Sequence, residues 1–470
     1  MQTASHLVER AWIFNERAAY SVAIVGGGFG GVVTAIHLLR LLPAASEIVL
    51  FERAGRLGRG AAYGTELPCH LLNVPATRMS AFPDAPADFA DWLSRSRMES
   101  SCAATDAGLF APRAVYGDYI ESLARAALRS GRLTVIPAAV TDLWPERVGF
   151  RLAVANGRTI RAGQVVLALG NLVAGEGSGP AHVTDPWSPA ALAPLEAVSD
   201  RPVVIVGTGL SMVDLALGLR ARGFPGRIVA ISRRGLLPRC HRPNAAWPAP
   251  AFTPAERRSI LALFRRVRAE IAAAAAVDTD WRGVIDGVRP VVQSLWQGLP
   301  AVERRRFLRH LRPWWDIHRH RMPVPAAAAI DAMREQGALE VHAGTVLSVE
   351  PMATGARVTW RPRGASLPTR LHAARVIAAT GTPNAAALAN PLLDALRRRG
   401  LARLDPLGLG LDASDSLAVI DAAGRANPAI HALGPIVRGV LWECTAVPEL
   451  RVQAAAVARR VAAALQLAEV

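Results

Sequence analysis

Two short stretches carry the residues whose types and spacing could do chemistry. In "VAIVGGGFGG", residues 22–31, an apolar run leads into Gly26, Gly28 and Gly31, which complete G-x-G-x-x-G. Gly26 permits a tight turn, Gly28 lets a pyrophosphate approach the backbone, and Gly31 allows close helix–strand packing. The helix that follows would present free N–H groups and the positive end of its dipole to a phosphate. The next strand, "EIVLFE", ends at Glu52, near the spacing expected of a carboxylate that grips ribose hydroxyls. "VVIVGTGLSMVD", residues 203–214, repeats the pattern with Gly207, Gly209, Leu210 and Ser211, but has no third glycine at Met212. Its second strand, "RIVAIS", ends in Arg233 and Arg234 instead of an acid. Arginine there suits the 2′-phosphate of NADPH, and an acid would suit NADH. The competing reading is that one of the two only stacks on adenine, or belongs to an arginine-rich surface.

The elements around these loops repeat as well. "LTVIPAAVTDLWP" at 133–145 matches "LEVHAGTVLSVEP" at 339–351 in its apolar pattern. The closing strands "VVLALGN" and "VIAATGT", from 165 and 376, both end in A-x-G, at Gly170 and Gly381. Each half therefore reads as βαβ, a three-stranded meander with "ANGR" as a hairpin turn, and a closing strand. The fold class is α/β, with two Rossmann-like dinucleotide-binding domains. Two dinucleotides are to be held.

The bulk composition narrows the chemistry. The chain has 470 residues, a net charge of +16 and no lysine, so all 54 basic residues are arginine. Without lysine there can be no lysine Schiff base and no Walker-type phosphate lysine. The arginines are scattered and do not form a basic arm, so no nucleic-acid partner is expected. Cys69, Cys102, Cys240 and Cys444 form no CxxC pair, so dithiol redox chemistry and a zinc site are not expected. His318 and His320, two apart, are expected in packing or in a pocket wall before any metal site. No stretch is long and apolar enough to span a bilayer, and the first twenty residues do not read as a secretory signal. No membrane partner and a cytoplasmic location are expected.

The order of these elements resembles the flavoproteins with two dinucleotide-binding domains, a glutathione-reductase-like three-layer ββα arrangement. On that resemblance FAD sits on residues 1–195 and 365–470, and NADPH or NADH sits on residues 196–364. The segment "GRGAAYGTELPCHLLNVPATRMSAFPD", 58–84, is similar to the bacterial group related to N-hydroxylating monooxygenases and FAD-dependent urate hydroxylase. The resemblance implies FAD contacts at Gly60, Ala61, Asn73, Val74, Met79 and Val140, beside Phe29, Arg53, Gly170, Gly434 and Val447. "NPAIHALGP" resembles the late strand that reaches the flavin, although Pro435 stands where many members have aspartate. Helix "WECTAVPELRVQ" would aim its N-terminus at the flavin. The F-x-G-x-x-x-H signature of flavin-containing monooxygenases is not evident.

Residues 245–325 fit neither fold. Thr253, Pro254 and Glu256 read as a helix start, and Trp281, Trp296, Trp314 and Trp315 mark a helical insert. It reads either as a lid over the pocket or as a packing or oligomerisation element, with Trp296 assigned to packing. Arg78, His241 and Arg242 are the substrate-pocket candidates. No catalytic base is visible. The resemblance implies an NAD(P)H-driven monooxygenase acting on a small polar or anionic substrate with molecular oxygen, through a flavin C4a-hydroperoxide. Urate is the first substrate expectation, and an amino acid hydroxylated on nitrogen is the alternative. A reductase or oxidase that inserts no oxygen, and a non-enzymatic FAD-binding sensor, are the readings from other classes. A homo-oligomer is open.

Overall fold

The computed structural model describes residues 20–172, 179, 181–195, 200–381 and 390–468. The ends of the expected first domain at 1–19 and the join at 196–199 lie outside them. The first half runs β1 (Tyr20–Val25), α1 (Phe29–Leu41), β2 (Ile48–Phe51), α2 (Arg113–Leu128), β3 (Leu133–Ile136), β4 (Val140–Pro145), β5 (Phe150–Val154) and β6 (Thr159–Leu167). A two-residue β7 (His182–Val183) precedes β8 (Val203–Val206), α3 (Leu210–Ala221) and β9 (Ile228–Ser232). The insert contributes α4 (Ile260–Ala275), α5 (Trp281–Val288), α6 (Val292–Gly298), α7 (Ala301–Arg306) and α8 (Arg312–Arg319). Then come α9 (Val324–Glu335), β10 (Leu339–Pro351), β11 (Ala356–Pro362), β12 (Thr369–Ala373) and β13 (Arg375–Ala378). The chain closes with β14 (Ala418–Ile420), β15 (Ala426–Ala432) and α10 (Val447–Ala468).

The strands fall into two large sheets. The first has the order β14-β15-β6-β1-β2-β3, with the meander β4-β5 attached to β6, and the second has the order β12-β11-β10-β9-β8-β13-β7. β1 is parallel to both β2 and β6, and β8 is likewise parallel to both β9 and β13. The buried, continuous Val, Ile and Leu runs of these central strands follow from being covered on both faces. The sequence repeat is a structural one, apart from the insert and from where the long strands break, with β6 continuous where β12 and β13 are separate. Pro137 falls in the break between β3 and β4, where the second half has one long β10.

Two domain boundaries need correction. β12 and β13, residues 369–378, and β7 at 182–183 pair within the second sheet. The return to the first sheet therefore comes after 378, not at 365, and the crossing comes before 182, not at 196. "RVIA" on β13 had to lie beside β8, as β6 lies beside β1, so the repeat itself required this boundary. The insert's helices fall inside 245–325 as expected. Thr253 and Glu256 exchange capping bonds, but these cap one turn of 3₁₀ helix, and α4 starts behind its own cap, Ser259.

Three contacts lock the first domain to the second. Arg113 at the start of α2 reaches the buried Asp214 of α3 at 2.7 Å. His70 Nε2 lies 2.9 Å from the Asp214 carbonyl, and Thr65 Oγ1 lies 2.7 Å from His70 Nδ1. His241 Nε2 lies 3.0 Å from the Asn73 carbonyl. The insert in turn docks on the C-terminal segment. Arg289 forks onto Glu449 at 2.6 and 3.0 Å, and Trp296 Nε1 donates to the Gly439 carbonyl at 2.9 Å.

Candidate functional site

The two glycine loops have the same geometry. Gly26 has φ +109° and Gly207 φ +128°, and a Cβ on either would stand 2.3 Å from a carbonyl oxygen, that of Ala168 or of Ala379. Gly26 N–H donates to Phe51 O and Gly207 N–H to Ile231 O. Ala168 N–H and Ala379 N–H return the bond to the last residues of β1 and β8. Gly170 and Gly381, at the matched ends of the closing strands, both have positive φ.

The first cradle is built for a close-lying anion. Gly31 carries α1 against β1 so tightly that a Cβ would meet Gly26 O at 1.8 Å. Gly28 is the opposite case, since a Cβ there meets only the Cα of Gly60, at 3.7 Å. The loop containing Gly60 and Ala61 thus faces Gly28 across a narrow gap, and Gly58 N–H donates to Gly27 O at 2.7 Å. Neither α1 nor α3 has a side-chain N-cap, so the N–H groups at their N-termini are left for a phosphate. Glu52 Oε2 accepts from Gly27 N–H at 3.0 Å and Oε1 from Ala54 N–H at 2.8 Å, which fixes the carboxylate at the end of β2. Gly27 itself escaped the sequence reading: a Cβ on it would strike Glu52 Cβ at 2.6 Å.

Further along, Val74 and Met79 are buried, Asn73 is half-buried, and Val140 is buried where it opens β4. Phe29 is buried at the start of α1, and Arg53 is exposed beyond Glu52. At the other side Gly434 has φ +80°, and its N–H donates to Gln453 Oε1 at 2.9 Å. Val447 starts α10. Gln453 is a site residue that the sequence did not signal. It is buried in α10, and its Nε2 finds no acceptor in the protein. An orphaned buried donor of this kind, with two Cβ-intolerant loops and a fixed carboxylate, fits an FAD held along the first sheet.

The second fold opens a cavity of about 900 Å³. Its walls include Gly207, Gly209, Leu210, Ser211, Arg233, Arg234 and Gly381, all expected on the nucleotide side. A Cβ on Gly209 would meet nothing within 4 Å. The cavity then passes between α8 and the segment Trp442–Thr445 that leads into α10. The sequence placed His320 in packing or a pocket wall and aimed the stretch 442–453 at the flavin, but did not single out Glu443. Glu443 is buried there in the left-handed region, at φ +60°, a strained position for a non-glycine residue. His320 Nε2 stands 3.3 Å and Arg319 Nε 3.4 Å from its carboxylate, and Trp315 Nε1 donates to it at 2.7 Å. Burial pushes the Glu443 carboxyl up, but His320, Arg319 and the Trp315 N–H outweigh it and hold it well below the usual carboxylate range. For His320 burial works against the charge, and Glu443 overcomes it and raises the pKa. Burial pushes the neighbouring Cys444 thiol up to about 12, so it stays protonated and unreactive.

None of the three substrate-pocket candidates lines this cavity. Arg78 and Arg242 are exposed. His241 packs against Phe110 and the Asn73 carbonyl, and burial lowers its pKa to about 4. Its place is at the domain junction.

Residues 23–172 match the protein family described as FAD-NAD(P)-binding. No curated protein matches the chain. Among solved structures, the ornithine hydroxylase of Pseudomonas aeruginosa superposes with a TM-score of 0.63 at 15% identity, over 95% of this chain and 99% of that one. The L-lysine 6-monooxygenase of Pseudomonas syringae gives 0.62 at 17% identity, over 96% and 99%. The thioredoxin reductase of Lactococcus lactis gives 0.51 at 10% identity, over 95% and 99%. The fold is that of the flavoproteins with two dinucleotide-binding domains.

Proposed function

We propose that this chain, which has the fold of those flavoproteins and an FAD-NAD(P)-binding N-terminal region, is an FAD-dependent, NAD(P)H-driven monooxygenase that hydroxylates nitrogen on a small amine or amino acid. The observation that carries the proposal is the path of the larger cavity. It starts at the Gly207–Ser211 loop, which would take the nicotinamide dinucleotide, and ends at Trp442–Thr445, on the segment that leads into α10. A hydride donor bound on the second fold would reach a flavin on the first through that end.

FAD, when bound, supplies hydride acceptance and oxygen activation. The chain's residues do the rest. The N-termini of α1 and α3 hold phosphates, and Glu52 holds a ribose. Arg233 and Arg234 favour the 2′-phosphate of NADPH. The insert, clamped to Glu449 and Gly439, supplies one wall of the cavity.

The neighbours named above support an amine or amino-acid substrate, and nothing in the comparisons supports urate. A reductase that inserts no oxygen is the second reading, favoured by the thioredoxin reductase likeness alone. The test is incubation of the purified yellow protein with NADPH and isotopically heavy oxygen in the presence of L-ornithine, L-lysine, cadaverine or urate. Heavy oxygen in a hydroxylamine product is expected. Oxygen recovered only as peroxide with every compound would point to the oxidase reading.

A further inference from the structure

The helical insert encloses a second cavity, of about 770 Å³, that the function proposed above does not use. Its volume lies in the range of small-molecule pockets. The lining is nearly all hydrocarbon. Five of the chain's 11 tryptophans face it, and among the described residues the other polar side chains on its wall are Arg268 and His318. His318 Nδ1 is taken up by the Trp314 carbonyl at 2.7 Å, and its ring stands edge-on to Trp281. Phe264 and Trp314 at the rim are 39% and 42% exposed, and aromatic surface left open in this way around a concave site marks a contact for something apolar.

Two observations tie this groove to the chemistry. Trp442 lines both cavities, so one indole forms a wall common to the apolar groove and the NAD(P)H side. That indole is buried, and its Nε1–H finds no acceptor in the protein. A ligand atom with a lone pair would satisfy it.

We infer that the groove holds the apolar body of the substrate and that the reacting amine lies at the Trp442 end. The substrate class is then a primary amine on an extended aliphatic or aryl-alkyl chain, not an amino acid with a free α-carboxylate. A carboxylate in this groove would meet hydrocarbon and a single cation, the exposed Arg268. The inference rests on the N-hydroxylase reading. Its reaction is R–NH₂ + O₂ + NADPH + H⁺ → R–NHOH + H₂O + NADP⁺. One N–H hydrogen is replaced by hydroxyl, one oxygen atom leaves as water, and NADPH supplies both electrons.

The test titrates the intact flavoprotein with butylamine, hexylamine, octylamine and decylamine, and with L-ornithine and L-lysine, following tryptophan fluorescence. Hydroxylamine formed with NADPH is measured in parallel by mass spectrometry. Binding should tighten about fourfold per added methylene until the groove is full. Ala272→Trp, which fills the groove from the exposed face of α4, should abolish that gradient. Phe264→Ser at the rim should flatten it by roughly tenfold at decylamine, the scale of about one and a half lost methylenes. Flavin absorbance and melting midpoint show whether each variant is folded.

Affinity independent of chain length would overturn the inference, and so would a gradient that survives Ala272→Trp. It is equally overturned if the wild type sediments as a dimer that Ala272→Trp dissociates while amines fail to bind, because the groove is then a subunit interface. Hydroxylation of ornithine or lysine with no chain-length gradient removes the groove and keeps the N-hydroxylase reading. A steep gradient in binding with no hydroxylamine from any amine supports the groove and removes that reading.

Discussion

Glu52 shows how much a single side chain can be asked to do. Its two oxygens are held by Gly27 and Ala54 N–H groups, so the carboxylate is oriented before any ribose arrives. Glu52→Ala removes a charged acceptor worth about 1.5–3 kcal/mol to its hydroxyl partners. The variant should lose FAD roughly tenfold to a hundredfold more readily, as measured by flavin retained after gel filtration. His241 makes a different prediction. Its ring is buried neutral, with a folded-state pKa of about 4 against the ordinary 6.5. The unfolded chain therefore binds the proton first, and stability is full above pH 6.5. It falls as the pH drops from there to about 4, by up to roughly 3 kcal/mol from this one group. His241→Gln should flatten that acid limb in thermal melts recorded across the range, whereas an unchanged limb would assign it to other groups. The site residues that went unread, Gln453 and Glu443, show why the sequence is silent on them. Both lie in "WECTAVPELRVQ", but nothing in that stretch singles them out, and each matters because folding buries its polar atoms beside particular partners.

At the scale of elements, the strand–glycine–helix units were legible because each glycine does something a Cβ forbids. The structure separates two kinds. A Cβ at Gly31 would overlap Gly26 O, whereas one at Gly209 meets nothing. Gly31→Ala should therefore push α1 off β1 and cost several kcal/mol, seen as loss of flavin and a collapsed melting midpoint. Gly209→Ala, with φ −83°, should fold normally and keep its flavin, while NADPH binds at least tenfold more weakly because the methyl occupies the phosphate's approach. The same alignment of halves was legible in "LTVIPAAVTDLWP" and "LEVHAGTVLSVEP". The 365 boundary was misplaced because it cut β12 and β13 away from a second half to which the repeat itself assigns them. Arg78, His241 and Arg242 stay off the wall of the NAD(P)H-side cavity for another reason. Their positions depend on how the two domains meet, which no local pattern encodes.

At the scale of the whole molecule, the two dinucleotide domains act as one only if they are held face to face. The Arg113–Asp214 pair, with His70 beside it, is a buried link between them. Burial raises the Asp214 pKa, and the Arg113 charge opposes that rise. Arg113→Met would leave Asp214 buried without its partner, a loss of about 3–5 kcal/mol. It should slow NADPH-driven flavin reduction more than it weakens binding of either nucleotide, as a loosened junction requires. The insert completes the assembly by reaching from the second domain to Glu449 and Gly439 of the first. The measurement that tests the account most directly is anaerobic mixing of the yellow protein with NADPH, with NADH and the Gly209→Ala variant run alongside. The account predicts rapid bleaching of the flavin by NADPH, slower bleaching by NADH, and a rate in Gly209→Ala that recovers at high NADPH. A flavin that stays oxidised with both donors would contradict it.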